Sequence, residues 1–337
     1  MCSSDLDLKR NSGGRILGPL PENARIVFMG TPEFAVPGLE ACLQEGHRVT
    51  AVVTQPDRRK GRGRSVVFSA VKEAALSAGI EVLQPEKVAD EAFLERMRAL
   101  DPDLLIVIAF GQVLKRPLLE LPHCGAVNIH ASLLPRYRGA APIQWAVLDR
   151  EKETGLTAML MEEGLDSGPI LMQSRIDIGG DETFGGLHDR LARLSGPFLA
   201  EVLRRLQTGT LEAVPQDEDR MTYAPKITKE HAAIRWEESA AAVSARIRAM
   251  DPSPGAFTLF KDLRLKLFEP YVLREEADEA PSPGRVLGYA EGRLLIEAGE
   301  GVLAVGALQM PGKRRMPAED FLRGFPIPQG AVLDSPP

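Results

Sequence analysis

Several things are scarce in this chain of 337 residues, and each scarcity removes a class of protein. Cysteine occurs only at Cys2, Cys42 and Cys124, with no Cys-x-x-Cys pair and no spacing suited to zinc. An odd, scattered set fits a reducing compartment, so a cytoplasmic protein without disulfides and without a metal is expected. Aromatic residues make up 5%, too few for a broad platform on which bases stack. No apolar run approaches the roughly 20 residues of a membrane-crossing helix. The first 24 residues lack the apolar stretch of a secretory signal, and Asp5 and Asp7 tell against a transit peptide. Residues 1–24 are therefore expected to be a disordered extension outside the fold. Also missing is the Gly-x-Gly-x-x-Gly fingerprint after the first strand, where Gly30-Thr31-Pro32 stands instead, so NAD is not expected as a cofactor.

The remainder is ordinary for a globular protein: 44% apolar, 26% charged, net charge −6. The negative balance argues against wrapping nucleic acid over the whole surface and leaves room for a local basic patch. The length suits two domains. Arg25–Met29 is a buried-strand run, Phe34 to Leu43 has helical apolar spacing, and His47–Thr54 is a second strand. Helices are expected over 66–78 and 86–100, with a continuous apolar strand, Leu104–Ala109, after them. This alternation predicts an open, mostly parallel Rossmann-like sheet with helices on both faces. It stops after the long amphipathic helix 183–206. Residues 210–226 carry proline and acid without periodicity and read as a linker. Beyond them short strands separated by Gly and charged turns predict a small OB-like β-barrel over 227–331, leaving 25–209 as the first domain.

Open α/β sheets bind ligands at the carboxyl ends of their strands. Three polar features fall there. In Ala126-Val127-Asn128-Ile129-His130, strand period 2 puts Asn128 and His130 on one face. An amide donor beside an imidazole can hold a developing oxyanion and handle a proton, although Asn-x-His alone reads equally well as hydrogen-bonded scaffolding. Phe110-Gly111-Gln112 is a turn at the end of the apolar strand. Asp166, in Gly164-Leu165-Asp166-Ser167-Gly168, is either turn chemistry or a partner for the imidazole. No protein nucleophile is evident, which favours direct transfer between two bound substrates. Arg58, Arg59, Lys60, Arg62 and Arg64 occupy a Gly-interrupted segment, readable as a solvated loop or as a phosphate-gripping insertion.

The run Asn128-x-His130-x-Ser132-Leu133-Leu134-Pro135, then Tyr137-Arg138-Gly139-Ala140-Ala141-Pro142-Ile143, with Asp166 in Gly-Leu-Asp-Ser-Gly, resembles the formyltetrahydrofolate-dependent formyltransferases. The resemblance extends from residue 25 to about 330. It includes Phe28-x-Gly30-Thr31-Pro32-x-Phe34, Thr54-Gln55-Pro56-Asp57, Gly61-Arg62-Gly63 and Pro311-Gly312-Lys313. It implies 10-formyltetrahydrofolate as co-substrate and the α-amine of methionyl-initiator tRNA as acceptor, the basic loop and C-terminal half marking a member that acts on tRNA. It further implies catalytic roles for Asn128, His130 and Asp166, and a folate site at Ser132, Leu133, Leu134, Pro135, Phe110, Gly111 and Gln112. Contacts to tRNA would come from Arg58, Arg59, Lys60, Arg62, Arg64, Lys226, Lys313, Arg314 and Arg315. The enzyme is expected to work as a monomer away from membranes.

Two positions depart from the pattern: Ala131 where Gly is usual, and Ala70 where Pro often precedes Val71-Lys72. The alternatives are a formyltransferase for nucleotide-linked amino sugars, which would need neither the basic loop nor this C-terminal half; a hydrolase of the formyl-folate; a non-catalytic RNA-binding protein; and a dehydrogenase, disfavoured by the missing glycines.

Overall fold

A computed structural model describes residues 19–60, 65–276 and 281–336. The disordered extension expected over residues 1–18, Cys2 among them, lies outside the described residues, as do Arg62 and Arg64. Pro19 to Ala24, set aside with that extension, is instead tied into the fold. Leu20 and Ala24 are buried, the Leu20 amide donates to the Leu206 carbonyl at 3.0 Å, and Arg48 N–H donates to the Ala24 carbonyl at 3.0 Å.

The chain forms two compact units, neither of them one continuous stretch. The first gathers the described residues up to Gly139 with Gly155–Arg175 and Asp189–Tyr223; the second gathers Ala140–Thr154, Ile176–His188 and the described residues from Ala224 onward.

Up to residue 207 the elements are β1 (Arg25–Gly30), α1 (Val36–Gln44), β2 (Arg48–Val53), β3 (Arg58–Lys60), β4 (Ser65–Val67), α2 (Ala70–Ser77), β5 (Val82–Leu83), α3 (Glu91–Leu100), β6 (Leu104–Ile108), α4 (Arg116–Leu119), β7 (Ala126–His130), α5 (Pro142–Leu148), β8 (Glu153–Leu160), β9 (Ile170–Asp177) and α6 (Phe184–Gln207). Of these, α5 belongs to the second unit, and β8, β9 and α6 are shared. The sheet order is β5-β2-β1-β6-β7-β8-β9, parallel from β5 to β7 and antiparallel between β7 and β8. The apolar runs of β1 and β6 are central because both of their faces are covered. Val27, Met29, Leu105 and Val107 pack on one side against Phe93, Leu94 and Met97 of α3.

Two helices begin later than periodicity predicts, and local chemistry explains both. Ser69 caps α2 by accepting the Lys72 N–H at 3.1 Å, while Ser65–Val67 pairs with Arg58–Lys60 as an antiparallel hairpin. The helix predicted from residue 86 starts at Glu91, because Pro85, Glu86 and Val88 are held by the Gln112 side chain instead.

The second unit adds α7 (Ala240–Ala249), β10 (Phe257–Phe260), β11 (Leu263–Arg274), β12 (Val286–Ala290), β13 (Arg293–Glu297), β14 (Val302–Gln309), β15 (Met316–Pro317) and α8 (Ala318–Gly324). Its antiparallel sheet runs β10-β11-β14-β13-β12. Both edges are taken up by the tail, which closes the barrel. Leu259 and Asp334 exchange backbone bonds at 3.1 and 2.9 Å, while Gly330 and Leu333 donate to Val286 and Gly284, each at 2.8 Å. A sheet edge covered in this way offers no free ladder to other chains. At the centre Trp236 is buried, its indole N–H donating to Thr258 Oγ1 at 2.9 Å. Among the described residues no helix is long and apolar enough to cross a membrane, and no group of three or more His, Cys, Asp or Glu could hold a metal.

Candidate active site

Strand β7 carries Asn128 and His130 to its carboxyl end, side by side on one face as period 2 requires, and nearly buried at 8% and 7% exposure. The chain beyond β7 folds back over them. His130 Nε2 lies 2.9 Å from the Tyr137 carbonyl oxygen. A carbonyl can only accept, so Nε2 carries a proton, and Nδ1 is the ring nitrogen left open. That second nitrogen faces Asp166, 3.7 Å from Oδ2, too far for a hydrogen bond but well within range of a charge pair. The same Oδ2 accepts the Gly139 N–H at 2.8 Å, which fixes the carboxylate. The Asn128 side chain has no hydrogen-bond partner among the described residues.

Glycines make this approach possible. Gly139 has φ of 122°, a conformation that L side chains rarely adopt, and a Cβ on Gly168 would lie 1.8 Å from the Leu160 carbonyl oxygen. The Asp166 loop can thus lie directly against the end of β8 only because its rim residue has no side chain. Asp166 itself sits in the left-handed region at φ 49° and Tyr137 at 61°, both held by the bonds around them. Ala131 is absent from the left-handed set, so its backbone has no need of glycine.

Two sequence profiles match the chain: "Formyl transferase" over residues 24–203 and "Formyl transferase, C-terminal domain" over residues 226–326. The chain belongs to the formyl transferase family. Among its relatives, the methionyl-tRNA formyltransferase of Pelobacter propionicus is 47% identical over 308 residues, covering 91% of this chain and 95% of the relative. The methionyl-tRNA formyltransferase of Caldanaerobacter subterraneus subsp. tengcongensis is 45% identical over 310 residues, covering 92% of this chain and 99% of the relative. A solved N-formyltransferase from Helicobacter canadensis, in complex with folinic acid and dTDP-3-aminofucose, superposes with a TM-score of 0.65 at 18% identity, over 87% of this chain and all of that one. The sugar 3N-formyltransferase WlaRD, solved with dTDP and 5-N-formyl-THF, gives 0.63 at 17% identity over the same shares. At such identities the two structures show a shared formyltransferase fold and nothing finer.

Within this formyltransferase, the segment after His130 is braced from below. Leu134-Pro135 is a cis peptide. Ser132 is fully buried and donates to the Arg136 carbonyl at 2.6 Å; Thr157 Oγ1 donates to the Ser132 carbonyl at 2.6 Å and accepts the Leu134 N–H at 3.2 Å. Gln173 donates to the Leu134 carbonyl at 2.9 Å. The Ser132 hydroxyl is thus committed to loop structure, and Leu133 and Pro135, half-buried, are the members of that run with surface to offer. At the 110–112 turn the Phe110 carbonyl already accepts from Thr31 Oγ1 at 3.0 Å and Gln55 Nε2 at 3.2 Å, and the Gln112 amide is spent on residues 85–88. What this turn leaves open is the backbone at Gly111. The two buried thiols are no nucleophiles: burial pushes Cys42 up to about 12 and raises Cys124.

The basic segment is anchored at its base. Lys72 bonds Asp57 at 2.6 Å and Gln84 at 2.7 Å, holding the Asp57 carboxyl below its ordinary range, and Ser69 bonds Thr54 at 2.8 Å. Ala70 occupies the first helical position, where proline would fit equally well, so the departure there leaves the anchor unchanged. In the second unit Lys226, Lys313 and Arg314 are exposed, whereas Arg315 is engaged with Asp251 at 3.2 Å and Glu269 at 2.9 Å and lies over the Phe268 ring.

Sequence reasoning missed the partners on the connector. Arg138, buried to 3% exposure, lays its guanidinium on Gln216 and Glu218, and Thr222 receives the Tyr137 N–H at 2.8 Å. The only signal available was the polar run Gln216-Asp217-Glu218-Asp219-Arg220 within the connector.

Proposed function

We propose that this chain is a methionyl-tRNA formyltransferase, carrying the formyl group of 10-formyltetrahydrofolate to the α-amine of methionyl-initiator tRNA. The carrying observation is the strand end where the partnerless Asn128 amide lies beside His130, with Asp166 3.7 Å from the one open ring nitrogen. Two nearly buried polar groups without a protein hydrogen-bond partner, the Asn128 amide and His130 Nδ1, fit an incoming carbonyl oxygen. The Asn128 amide is not among the buried unpartnered atoms, so it still meets solvent and is open to an incoming oxygen.

In this reading Asn128 donates to the formyl oxygen as the amine nitrogen attacks the formyl carbon, taking up the charge that leaves the C=O double bond. His130, protonated at Nδ1 and held at Nε2 by the Tyr137 carbonyl, supplies the second donor. Asp166 balances the imidazolium and, with Nδ1, relays the proton lost by the amine towards the folate nitrogen that departs. The sum is one N–C bond formed, one broken, and one proton moved from the amine to the folate. Leu133, Pro135 and the Gly111 backbone offer the surface for the folate. Residues Arg58 to Arg64, with Lys226, Lys313 and Arg314, provide phosphate contacts for the tRNA. On this reading the enzyme works in the cytoplasm, as a monomer, with 25–209 as catalytic domain and 227–331 as tRNA-binding domain.

The direct test is incubation with methionyl-initiator tRNA and 10-formyltetrahydrofolate, scoring N-formylmethionine. Formation of that product is expected, with a loss of about 10²–10³-fold on replacing Asn128 by Ala. No product, or hydrolysis of the folate to formate without transfer, would overturn the assignment. Arg62→Ala should raise the KM for tRNA, and raising salt should weaken tRNA binding steeply as phosphate counterions are released.

A further inference from the structure

We propose that Gln216, on the connector between the two family profiles, is a positioning residue that clamps the Asp166 loop to the loop bearing the His130 partner. The proposal rests on the reading of Asn128, His130 and Asp166 given above. Neither profile reaches residue 216, one ending at 203 and the other starting at 226.

A primary amide can make two bonds as donor and two as acceptor, and Gln216 makes all four. Its Nε2 donates to the Asp166 carbonyl and to the Gly168 carbonyl, both at 2.8 Å. Its Oε1 accepts from Arg138 Nε at 3.0 Å and Nη2 at 2.8 Å. Glu218 completes the guanidinium fork, accepting from Nη1 at 3.1 Å and Nη2 at 2.7 Å, and Arg138 in turn holds the Glu218 carboxyl below its ordinary range. The Arg138 backbone N–H donates to the Thr222 carbonyl at 2.9 Å.

These bonds close a ring around the site: His130 to the Tyr137 carbonyl, Arg138 to Gln216, Gln216 to the Asp166 backbone, Asp166 to Gly139. Both residues that present functional groups here, Tyr137 and Asp166, sit at positive φ, and such conformations persist only where neighbours enforce them. No other described side chain donates to the backbone carbonyl of Asp166 and also accepts from Arg138. Without Gln216 the Asp166 loop keeps only its side-chain bond to Gly139 and its strand-end bonds, and the 3.7 Å spacing to His130 is no longer set from the backbone side.

The test uses the full-length chain with Gln216→Ala and Gln216→Glu, each made in the native protein and in Asp166→Ala. Steady-state formylation of methionyl-tRNA is followed against both substrates. Gln216→Ala should lower kcat by about 10–100-fold, the scale of a misplacement of about 1 Å, with both KM values within about twofold. In Asp166→Ala the same change should cost less than about threefold, because the group it positions is gone. Gln216→Glu keeps acceptors for Arg138 but turns oxygen towards two carbonyls, and should be at least as damaging. An equal factor in both backgrounds, or native turnover in either variant, overturns the clamp. Near-native turnover of Asp166→Ala alone would instead overturn the reading of the site, and the clamp with it. A crippled Asp166→Ala beside an unaffected Gln216→Ala overturns only the clamp.

Discussion

Asp166→Asn isolates charge from shape. The amide is nearly the size of the carboxylate, and its oxygen can take the place of Oδ2, keeping the 2.8 Å bond from Gly139 N–H. What disappears is a negative charge 3.7 Å from His130 Nδ1, between side chains only 7% and 16% exposed. With an effective dielectric constant of about 20, a unit charge pair at that distance is worth about 4.5 kcal/mol. At about 1.4 kcal/mol per factor of ten this caps the effect at about 10³-fold. The desolvation of two largely buried ions offsets part of it, so the expected loss in the rate of the chemical step is about 10²–10³-fold. Single-turnover formylation with saturating folate and tRNA reads that step directly, and equilibrium binding of folate should stay within about twofold of native. A loss below about fivefold would refute the charge argument, since the shape and the anchoring bond are preserved. A parallel loss of folate affinity would mean that Asp166 serves mainly in binding.

Other outcomes follow from the same structure. His47 is buried with Nδ1 unpartnered, and burial lowers its ionisation below the ordinary 6.5, Glu45 offsetting only part. The unfolded chain therefore binds the proton more readily than the folded one, so stability is full above about pH 6.5 and falls as pH drops further; His47→Gln should flatten the decline of the urea midpoint between about pH 7.5 and 5. Gly168→Ala puts a methyl against the Leu160 carbonyl oxygen and should cost about 1–3 kcal/mol in chemical denaturation, with formylation lost as the Asp166 loop lifts. Ending the chain after Pro328 removes the five backbone bonds that the tail makes to Leu259, Gly284 and Val286, worth about 5 kcal/mol at about 1 kcal/mol each. That is comparable to the whole stability of a small domain, and the melting transition of the second unit should drop or vanish in calorimetry.

How much of this could be read in advance depended on whether the deciding interaction was local. The apolar runs of β1 and β6 announce central strands because burial on both faces leaves no other composition. Asn128 and His130 share a face by strand periodicity alone. The β3–β4 hairpin was hidden, since it pairs Arg58–Lys60 with Ser65–Val67, and Val66 and Val67 look like the start of a helix until Ser69 is seen to cap it. The commitment of His130 Nε2 was invisible for a different reason. Its partner is a backbone carbonyl, and a carbonyl has no letter in a sequence. Gln216 lay in a stretch with no periodicity to interpret, where polar residues suggest solvent and give no sign of a bond to Arg138 seventy-eight positions earlier.

The interleaving of the two units has a practical side for anyone cutting or recombining the gene. Helix α5 packs against α7, and residues 140–154 and 176–188 belong with the C-terminal unit although they are encoded well inside the first profile. A fragment expressed from residue 227 would lack those pieces and expose the side of α7 that α5 covers. A chimera that exchanges C-terminal halves between relatives should therefore carry the α5 segment across with its partner helix, or be made at seams chosen in space.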